Sequence, residues 1–325
     1  MLHSVPLVEV WRGDFLESCH RGHVIVCNFD GEIVQAWGNP NHVILPRSSC
    51  KILQALPLVV SGAADSLGLT TRQLALSCAS HQGAEIHSNL VKSWLKDLGK
   101  TDDAFRCGSQ WPRDTEARNA MIKNDETPCR YHNNCSGKHS GFLTLSAHLG
   151  AGPDYHLPEH PVQKAILNIF EEVTGETSPG YGIDGCSAPN WACTIGGLAS
   201  AMARCAGNSS DILGLASARL RNAMMAHPDL VAGETRACTE LMDAAPGVAL
   251  KTGAEAVFTA IIPSKKMGVA IKIEDGAFRA SEAVITAILI RMGLLNAAHP
   301  AAVRRLGPIS NWDGLQIGSI SVVLD

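Results

Sequence analysis

The stretch HVIVCNFDGEIVQAW, residues 23–37, carries the clearest signal of fold in this sequence. Two strand-like runs, His23–Asn28 and Glu32–Trp37, flank the dipeptide Asp30-Gly31. Asp-Gly between two such runs is typical of a hairpin, because glycine adopts the positive φ that a tight turn requires. The stretch therefore predicts two antiparallel strands near the N-terminus.

Strand-like segments return near the C-terminus, whereas the middle of the chain is mainly helical. The expected C-terminal strands are residues 247–251, 254–262, 267–274 and 317–324. The expected helices are residues 48–60, 74–79, 85–99, 139–149, 160–174, 190–205, 209–226, 234–244 and 278–295.

This arrangement predicts an α+β (α/β) fold, in which an antiparallel sheet from both termini is covered by helices and joined to a helical lobe. We expect a single domain over residues 1–325 with two lobes. The sheet lobe comes from about residues 1–45 and 246–325, and the mainly helical middle from about residues 46–245.

The composition is typical of a globular enzyme and not of a disordered or fibrous chain, because 46% of the 325 residues are hydrophobic and 18% are charged. The net charge of −4 is evenly spread, and no cluster of Lys and Arg indicates nucleic acid or an anionic membrane as a partner. The most apolar window, Ala283–Leu295, is short and contains Arg291, so it predicts a buried helix and not a membrane span.

The cysteines and the N-terminal segment indicate the compartment. Eleven cysteines are scattered from Cys19 to Cys238, and an odd number in a chain of this size argues against a disulfide framework. Met1–Val10 has no basic start followed by a long apolar run, so we expect no signal peptide. We therefore expect a cytoplasmic protein whose cysteines are mainly core thiols, with a few that bind metal.

The segment Arg47-Ser48-Ser49-Cys50-Lys51 contains a Ser-x-x-Lys motif at a predicted helix start. Residues three apart lie on the same face of a helix, so the Lys51 amine can reach the Ser48 hydroxyl. A lysine can act as the base that takes the proton of a serine nucleophile. Taken alone, however, the motif is more typical of a capping serine followed by a surface lysine.

A second lysine motif, Lys251-Thr252-Gly253, ends a strand-like run near the C-terminus. An early Ser-x-x-Lys and a late Lys-Thr-Gly are paired in serine β-lactamases and penicillin-binding proteins. There the late lysine lies on a strand beside the nucleophile, and the glycine allows close approach of substrate. Together with Ser48 and Lys51 this motif favours serine catalysis, although the Ser-Asp-Asn element of plain β-lactamases is missing.

Ser80-His81-Gln82-Gly83 follows the helix expected at residues 74–79. A small polar residue before a glycine often only ends a helix. Released into a loop beside His81, Ser80 could instead serve as a second nucleophile or as a proton relay.

Two polar turns contain cysteine: HNNCSGKH at residues 132–139 and DGCSAPN at residues 184–190. Each comes just before a predicted helix, so backbone N–H groups and side chains converge on a small volume. Thiolates are common zinc ligands, and two cysteines in two turns suggest a metal site. No Cys-x-x-Cys motif and no His pair at metalloprotease spacing supports zinc, so two helix caps with buried thiols are the alternative.

Six segments together resemble the bacterial asparaginase II family, of the rhizobial type. They run in order: Arg47–Lys51, Ser80–Gly83, Asn134–His139, Gly182–Pro189, His227–Gly233 and Lys251–Glu255. The resemblance extends from about residue 9 to about residue 276, which is most of the chain. One such motif is weak evidence, whereas six in register are specific.

The resemblance implies a fold similar to that of serine β-lactamases and glutaminases. It also implies a homodimer that hydrolyses L-asparagine to L-aspartate and ammonia. Carried over to this sequence, it pairs Ser48 with Lys51 and Ser80 with Lys251 as the catalytic residues.

By the same resemblance, a zinc ion is bound by Cys135, Lys138 and Cys186. A lysine must lose its proton before it can bind a metal, so such a site would be sensitive to pH.

Charge then suggests Arg47, His139 and Asp184 as the substrate contacts. Arg47 suits the α-carboxylate of an amino acid through a bidentate pair. Asp184 suits the α-ammonium group or a zinc-bound water.

Two other functions stay open from the sequence. A glutaminase or a β-lactam hydrolase could use the same Ser–Lys pair, since the depth of a pocket cannot be measured from sequence. A zinc-dependent binding or sensor protein would use Cys135 and Cys186 without turnover, but the Ser–Lys pairs would then have no purpose.

Overall fold

The computed structural model describes residues 3–324, and the chain divides into two compact units. Unit 1 contains the residues up to Ser49, Cys193–Gly207 and the chain from Glu240 onward. Unit 2 contains Cys50–Ala192 and Asn208–Thr239. These units differ from the expected lobes mainly at residues 193–207, which lie within the expected helical middle but belong to unit 1.

Within residues 3–324, unit 1 contains an eight-stranded antiparallel sheet. Its strands are β1 (Val5–Arg12), β2 (Phe15–Asn28), β3 (Ile33–Trp37), β8 (Ala249–Gly253), β9 (Val257–Ile262), β10 (Met267–Ile273), β11 (Pro308–Ser310) and β12 (Gln316–Val322). Short pairs also form between β4 (Val43–Ile44) and β7 (Cys193–Thr194) and between β5 (Tyr181–Ile183) and β6 (Pro189–Trp191). The sheet order is β11-β12-β1-β2-β10-β9-β8, with β3 paired to β2. The predicted antiparallel sheet from both termini is therefore confirmed.

The long strand β2 organises this sheet because it has partners along its whole length. Its first half pairs with β1, as far as Gly22 opposite Val5. Its second half pairs with β10 on one edge and with β3 on the other. Between β2 and β3, Gly31 has a φ of +85°, and the Asn28 N–H donates to the Glu32 carbonyl oxygen at 3.0 Å. The predicted hairpin is thus confirmed.

The helices follow the predicted pattern over most of the chain. They are α1 (Lys51–Val60), α2 (Ala63–Ser66), α3 (Thr71–Ser77), α4 (Glu85–Asp97), α5 (Thr115–Lys123), α6 (Ser136–His148), α7 (Pro161–Thr174), α8 (Ile195–Ala206), α9 (Ile212–Ala226), α10 (Pro228–Val231), α11 (Ala237–Ala244), α12 (Phe278–Arg291) and α13 (Pro300–Leu306).

One predicted helix begins later than expected. The sequence predicts a helix over residues 190–205, but α8 starts only at Ile195. The residues before it form strands instead, because β6 pairs with β5 and β7 pairs with β4. Thr194 then caps α8, since its hydroxyl accepts a hydrogen bond from the Gly197 N–H at 2.9 Å.

Helices α8 and α12 both pack on the sheet of unit 1. Gly268 of β10 faces α8, where a Cβ would lie 2.1 Å from Ala203 N and 2.4 Å from the Ala199 carbonyl oxygen. Strand pleating turns the neighbouring Val269 to the opposite side, and it is fully buried as well. Over the described residues, no helix is both long and apolar enough to cross a membrane.

Helix α6 occupies the interior of unit 2, where it packs against α1, α2, α3, α4 and α7. Its residues from Ser136 to Ser146 are all buried. Gly137 allows close contact with the end of α3, because a Cβ there would lie 2.3 Å from the Leu76 carbonyl oxygen. The start of α6 is therefore held directly against the end of α3.

We expect Gly268→Ala to lower the free energy of unfolding by about 1–3 kcal/mol, because the added methyl group would overpack against the backbone of α8. Thermal unfolding followed by circular dichroism measures the change. Gly152→Ala is the matched control, since a Cβ at that position meets no heavy atom within 4 Å. A Gly268→Ala variant that melts like the wild type would contradict the tight packing of α8 on β10.

Candidate active site

A buried lysine lies at the start of α1. Lys51 is 0% exposed, and its Nζ donates hydrogen bonds to the Ala79 carbonyl oxygen, to Ser80 Oγ at 2.8 Å and to Cys135 Sγ at 3.1 Å. Lysine is almost never buried this fully unless its ammonium protons find partners. All of these partners belong to unit 2, so the network lies within one unit.

Ser80 lies in the loop that follows α3, as predicted. Its backbone N–H donates to the Val231 carbonyl oxygen at 2.9 Å, and the N–H of His81 donates to the Asn134 carbonyl oxygen at 3.1 Å. The His81 ring is also hydrogen-bonded through Nε2 to Ser136 Oγ at 3.0 Å. These bonds fix the loop and hence the position of the Ser80 hydroxyl.

The start of α6 contributes the next part of the site. Cys135 comes immediately before the helix, and its backbone N–H donates to Asn133 Oδ1 at 2.9 Å. Lys138 and His139 follow in the first helical turn and are 2% and 0% exposed. Because Gly137 has no side chain, this turn packs directly on α3. The side chains of Cys135 and Lys138 therefore lie close to the loop that carries Ser80.

Cys186 lies in the turn between β5 and β6. Hydrogen bonds close this turn, from the Asp184 N–H to the Ala188 carbonyl oxygen at 2.9 Å and from the Ser187 N–H to the Asp184 carbonyl oxygen at 2.8 Å. Ser187 has a φ of +70°, a left-handed conformation that is uncommon for a residue with a side chain. The turn buries Cys186, whose Sγ accepts a hydrogen bond from Lys138 Nζ at 3.1 Å.

Cys135, Cys186 and Lys138 form one buried, charge-coupled cluster. The hydrogen bond from Cys135 lowers the pKa of Cys186 well below its ordinary value, against the opposing effect of burial. The same bond, with burial, raises the pKa of Cys135. Burial disfavours the Lys138 ammonium, but the electrostatic attraction of Cys186, Cys135 and Asp184 together outweighs burial and raises the pKa of Lys138. These directions favour a thiolate at Cys186 beside the Lys138 ammonium and a neutral thiol at Cys135.

These three side chains fit the donor set of a metal ion. The Cys186 sulfur contacts both the Cys135 thiol and the Lys138 side chain, so three donor groups of the kinds that can bind a metal ion lie side by side. A divalent cation would also supply the positive charge that the thiolate now receives from Lys138. In the part of the chain that the structure describes, no group of three or more His, Cys, Asp or Glu side chains converges. Lys138 would therefore have to be the third ligand, after losing its proton.

The His139 ring is fully buried at the same end of α6. Its Nδ1 is hydrogen-bonded to the Tyr155 hydroxyl at 2.8 Å, and the backbone N–H of Arg106 donates to that hydroxyl at 2.8 Å. Its Nε2 is buried and has no hydrogen-bond partner among residues 3–324. Burial, and then the charge of Lys138, lowers the pKa of His139 well below its ordinary value, so the ring is neutral.

Arg47 and Ser48 belong to unit 1 and lie in a 3₁₀ turn, Arg47–Cys50, that leads into α1. Arg47 has a φ of +52°, which is again left-handed. Ser49 closes the turn, because its N–H and its Oγ donate to the Pro46 carbonyl oxygen at 3.2 and 2.6 Å. The turn holds Ser48 half-buried.

Lys251 lies on the edge strand β8 of unit 1 and is 2% exposed. Its Nζ donates to the Thr252 carbonyl oxygen at 2.8 Å. The motif needs a glycine at position 253 because a Cβ there would lie 2.9 Å from Ser49 N and 3.2 Å from Ser48 N, too close for a side chain. The glycine lets β8 pass in close contact with the turn that carries Ser48.

The structure thus joins all of the predicted metal and catalytic residues of unit 2 in one cluster. They are Lys51, Ser80, Cys135, Lys138 and Cys186. The Ser–Lys contact in this cluster is between Lys51 and Ser80, a pair that the sequence does not predict. The pairings of Ser48 with Lys51 and of Ser80 with Lys251 stay predictions.

The remaining predicted residues of unit 2 lie next to this cluster in the chain. His139 follows Lys138 directly, and Asp184 lies partly exposed in the turn that contains Cys186. Tyr155 is the residue that sequence reasoning missed. No motif surrounds it, and only its contact with His139 reveals it.

Several solved structures are similar to this chain. Mglu in its native form is 11% identical over 87% of this chain and 66% of its own, with a TM-score of 0.47. A β-lactamase from Mycobacterium bovis is 11% identical over 83% of this chain and 94% of its own, with a TM-score of 0.38. A Bacillus glutaminase is 13% identical over 84% of this chain and 91% of its own, with a TM-score of 0.38. The chain spans slightly less than two thirds of the length of Mglu.

The comparison with protein families agrees with the six sequence segments. No curated protein sequence matches the chain significantly. The model of the L-asparaginase II family, in contrast, matches residues 8–322, which is nearly the whole chain. The chain therefore belongs to the L-asparaginase II family.

Proposed function

We propose that this member of the L-asparaginase II family is an amidohydrolase, an enzyme that acts on amide bonds, and that it hydrolyses L-asparagine to L-aspartate and ammonia. The observation that carries the proposal is the contact of the buried Lys51 Nζ with Ser80 Oγ at 2.8 Å, because it couples a potential base to a potential nucleophile away from bulk water. The choice of asparagine rests on the six segments that resemble the rhizobial-type family. From the same resemblance we propose a homodimer, and from the odd number of cysteines we propose that it works in the cytoplasm.

In the proposed mechanism, an unprotonated lysine amine takes the proton of a serine hydroxyl while the serine oxygen attacks the side-chain amide carbon. Lys51 is the base for Ser48, and Lys251 is the partner of Ser80. Because Lys51 also contacts Ser80, a proton can pass between the two pairs. The serine that forms the acyl-enzyme is then either Ser48 or Ser80.

The later steps need donors for the developing negative charge and a proton for the leaving group. Backbone N–H groups at a helix start are suited to stabilise the oxyanion. The amide nitrogen takes a proton from a lysine ammonium and leaves as ammonia. Water then attacks the acyl-enzyme, which releases L-aspartate and restores the serine hydroxyl.

Charged groups would orient the amino-acid part of the substrate. Arg47 is proposed to bind the α-carboxylate through its guanidinium. Asp184 is proposed to bind the α-ammonium group, because its carboxylate offers the opposite charge. His139 is proposed as a further polar contact.

We also propose that Cys135, Lys138 and Cys186 bind zinc. The support is their chemistry, since all three side chains are buried and Cys186 contacts both the Cys135 thiol and the Lys138 side chain. When bound, the ion would supply positive charge that positions substrate or stabilises negative charge. The hydrogen bond between Lys51 Nζ and Cys135 Sγ at 3.1 Å links this site to the proposed catalytic lysine.

We expect Lys51→Met to lower kcat for L-asparagine by about 10²- to 10⁴-fold, the usual contribution of a general base. Ammonia release measures the rate. Lys92→Met on α4 is the matched control, because Lys92 is exposed. A fully active Lys51→Met enzyme would exclude Lys51 as the base, and a fully active Ser48→Ala enzyme would remove Ser48 from the mechanism.

We expect L-asparagine to be preferred over L-glutamine by at least about 10-fold in kcat/KM, because one methylene in a fitted pocket discriminates by about 10- to 200-fold. A chromogenic β-lactam should be hydrolysed more slowly still. If L-glutamine were hydrolysed faster than L-asparagine, the protein would be a glutaminase. If the β-lactam were hydrolysed faster, it would be a β-lactam hydrolase. A protein that binds zinc but releases no ammonia from asparagine would be a zinc-dependent binding protein.

We expect the purified protein to contain about one zinc ion per chain, and Cys186→Ser to lose most of it, because a thiolate is replaced by a weak neutral ligand. Elemental analysis after dialysis gives the stoichiometry. Cys129→Ser serves as the control, since Cys129 lies outside the proposed ligand set. Retention of zinc in Cys186→Ser would refute the proposed ligands.

A further inference from the structure

The hydroxyl of Tyr155 links the backbone of Arg106 to the ring of His139. A backbone N–H can only donate, so the phenol oxygen accepts the bond from Arg106 at 2.8 Å. Burial raises the pKa of Tyr155, and the hydroxyl therefore keeps its proton. The other partner of this hydroxyl within the described residues is His139 Nδ1, at 2.8 Å. If Nδ1–H donated instead, the buried hydroxyl would have no acceptor for its own proton among these residues, so we take the hydroxyl to donate to Nδ1.

This donated proton determines the tautomer of His139. Nδ1 can accept a hydrogen bond only when it is unprotonated, and a neutral imidazole then carries its hydrogen on Nε2. The aromatic neighbours of the ring include Phe105 and Phe142, which offer no competing polar group. His139 is therefore an Nε2–H donor.

The Nε2–H group is buried and lacks an acceptor among residues 3–324. Buried donors in folded proteins are nearly always paired, because an unpaired donor has lost its hydrogen bonds to water. This donor belongs to the residue directly after Lys138, at the start of α6. Its position and its missing acceptor together indicate a ligand that supplies an oxygen atom.

We propose that Tyr155 is a positioning residue that holds His139 as an Nε2–H donor to an oxygen atom of the substrate. The identity of that substrate rests on the proposed function, whereas the tautomer does not. An amide or carboxylate oxygen can accept from Nε2–H, but an ammonium group cannot. His139 therefore selects the oxygen side of the substrate, and Tyr155 acts only through it.

Nitrogen NMR of the protein labelled with ¹⁵N-histidine tests the tautomer without any turnover. Of the 13 histidines, His139 is assigned as the one whose signals disappear in His139→Gln. We expect the wild type to show a protonated Nε2 and an unprotonated, hydrogen-bonded Nδ1. In Tyr155→Phe the Nδ1 signal should move and part of the population should become Nδ1–H. A wild-type ring with Nδ1–H, or unchanged signals in Tyr155→Phe, would overturn the proposal.

Kinetics test the consequence for the substrate. Tyr155→Phe should reduce kcat/KM for L-asparagine by about 10- to 100-fold, the effect of weakening one buried hydrogen bond to a polar ligand. Tyr131→Phe is the matched control, because it removes a hydroxyl from a ring that packs on Phe105 and not on His139. Equal losses in both variants, or no loss in Tyr155→Phe, would contradict a positioning role.

The two tests separate this inference from the proposed function. If wild-type protein does not hydrolyse asparagine but His139 carries its proton on Nε2, the substrate is wrong and the role of Tyr155 in setting the tautomer stands. If asparagine is hydrolysed but His139 shows the other tautomer, the proposed function stands and the role of Tyr155 is wrong.

Discussion

Burying the amine of Lys51 is the constraint on which the rest of unit 2 depends. Removing an ammonium from water costs several kcal/mol unless hydrogen-bond partners replace the lost water. Here the partners are the Ala79 carbonyl oxygen, Ser80 Oγ and Cys135 Sγ. They come from the chain after α3 and from the residue before α6. Those two segments must therefore reach their native positions before the lysine can be buried. Formation of the site and folding of this unit are therefore coupled.

A second buried lysine, Lys138, belongs to the same cluster. The contacts run from Lys51 to Cys135, from Cys135 to Cys186 and from Cys186 to Lys138. Sulfur thus separates the lysines, and the thiolate carries the compensating negative charge. The thiolate also explains how the cluster could bind a cation. A metal ion that replaces the extra proton of Lys138 keeps a positive charge beside the Cys186 sulfur.

Local sequence signals were sufficient for the parts of the fold that depend on short-range chemistry. The Asp30-Gly31 turn and the alternating runs near the C-terminus predict the sheet, and its antiparallel pairing follows from them. Strand β1 and helix α5 are not among the predicted elements, and α8 starts late because β6 forms a hairpin with β5 and β7 pairs with the distant strand β4. At the site, motif spacing identifies Lys51, but its contact with Ser80, 29 residues further along, depends on how α3 packs. The role of Tyr155 likewise depends on a contact with His139 that no sequence motif indicates.

Gly137 limits how this site can change over evolution or in a directed-evolution experiment. Its Cα lies so close to the Leu76 carbonyl oxygen that no side chain fits between them. A substitution there would displace the whole first turn of α6, and with it both Cys135 and Lys138, whatever the chemistry of the new residue. Substrate preference can therefore change through exchange of side chains around the site. Gly137 itself must be retained, because the contact between α6 and α3 leaves no room for another residue.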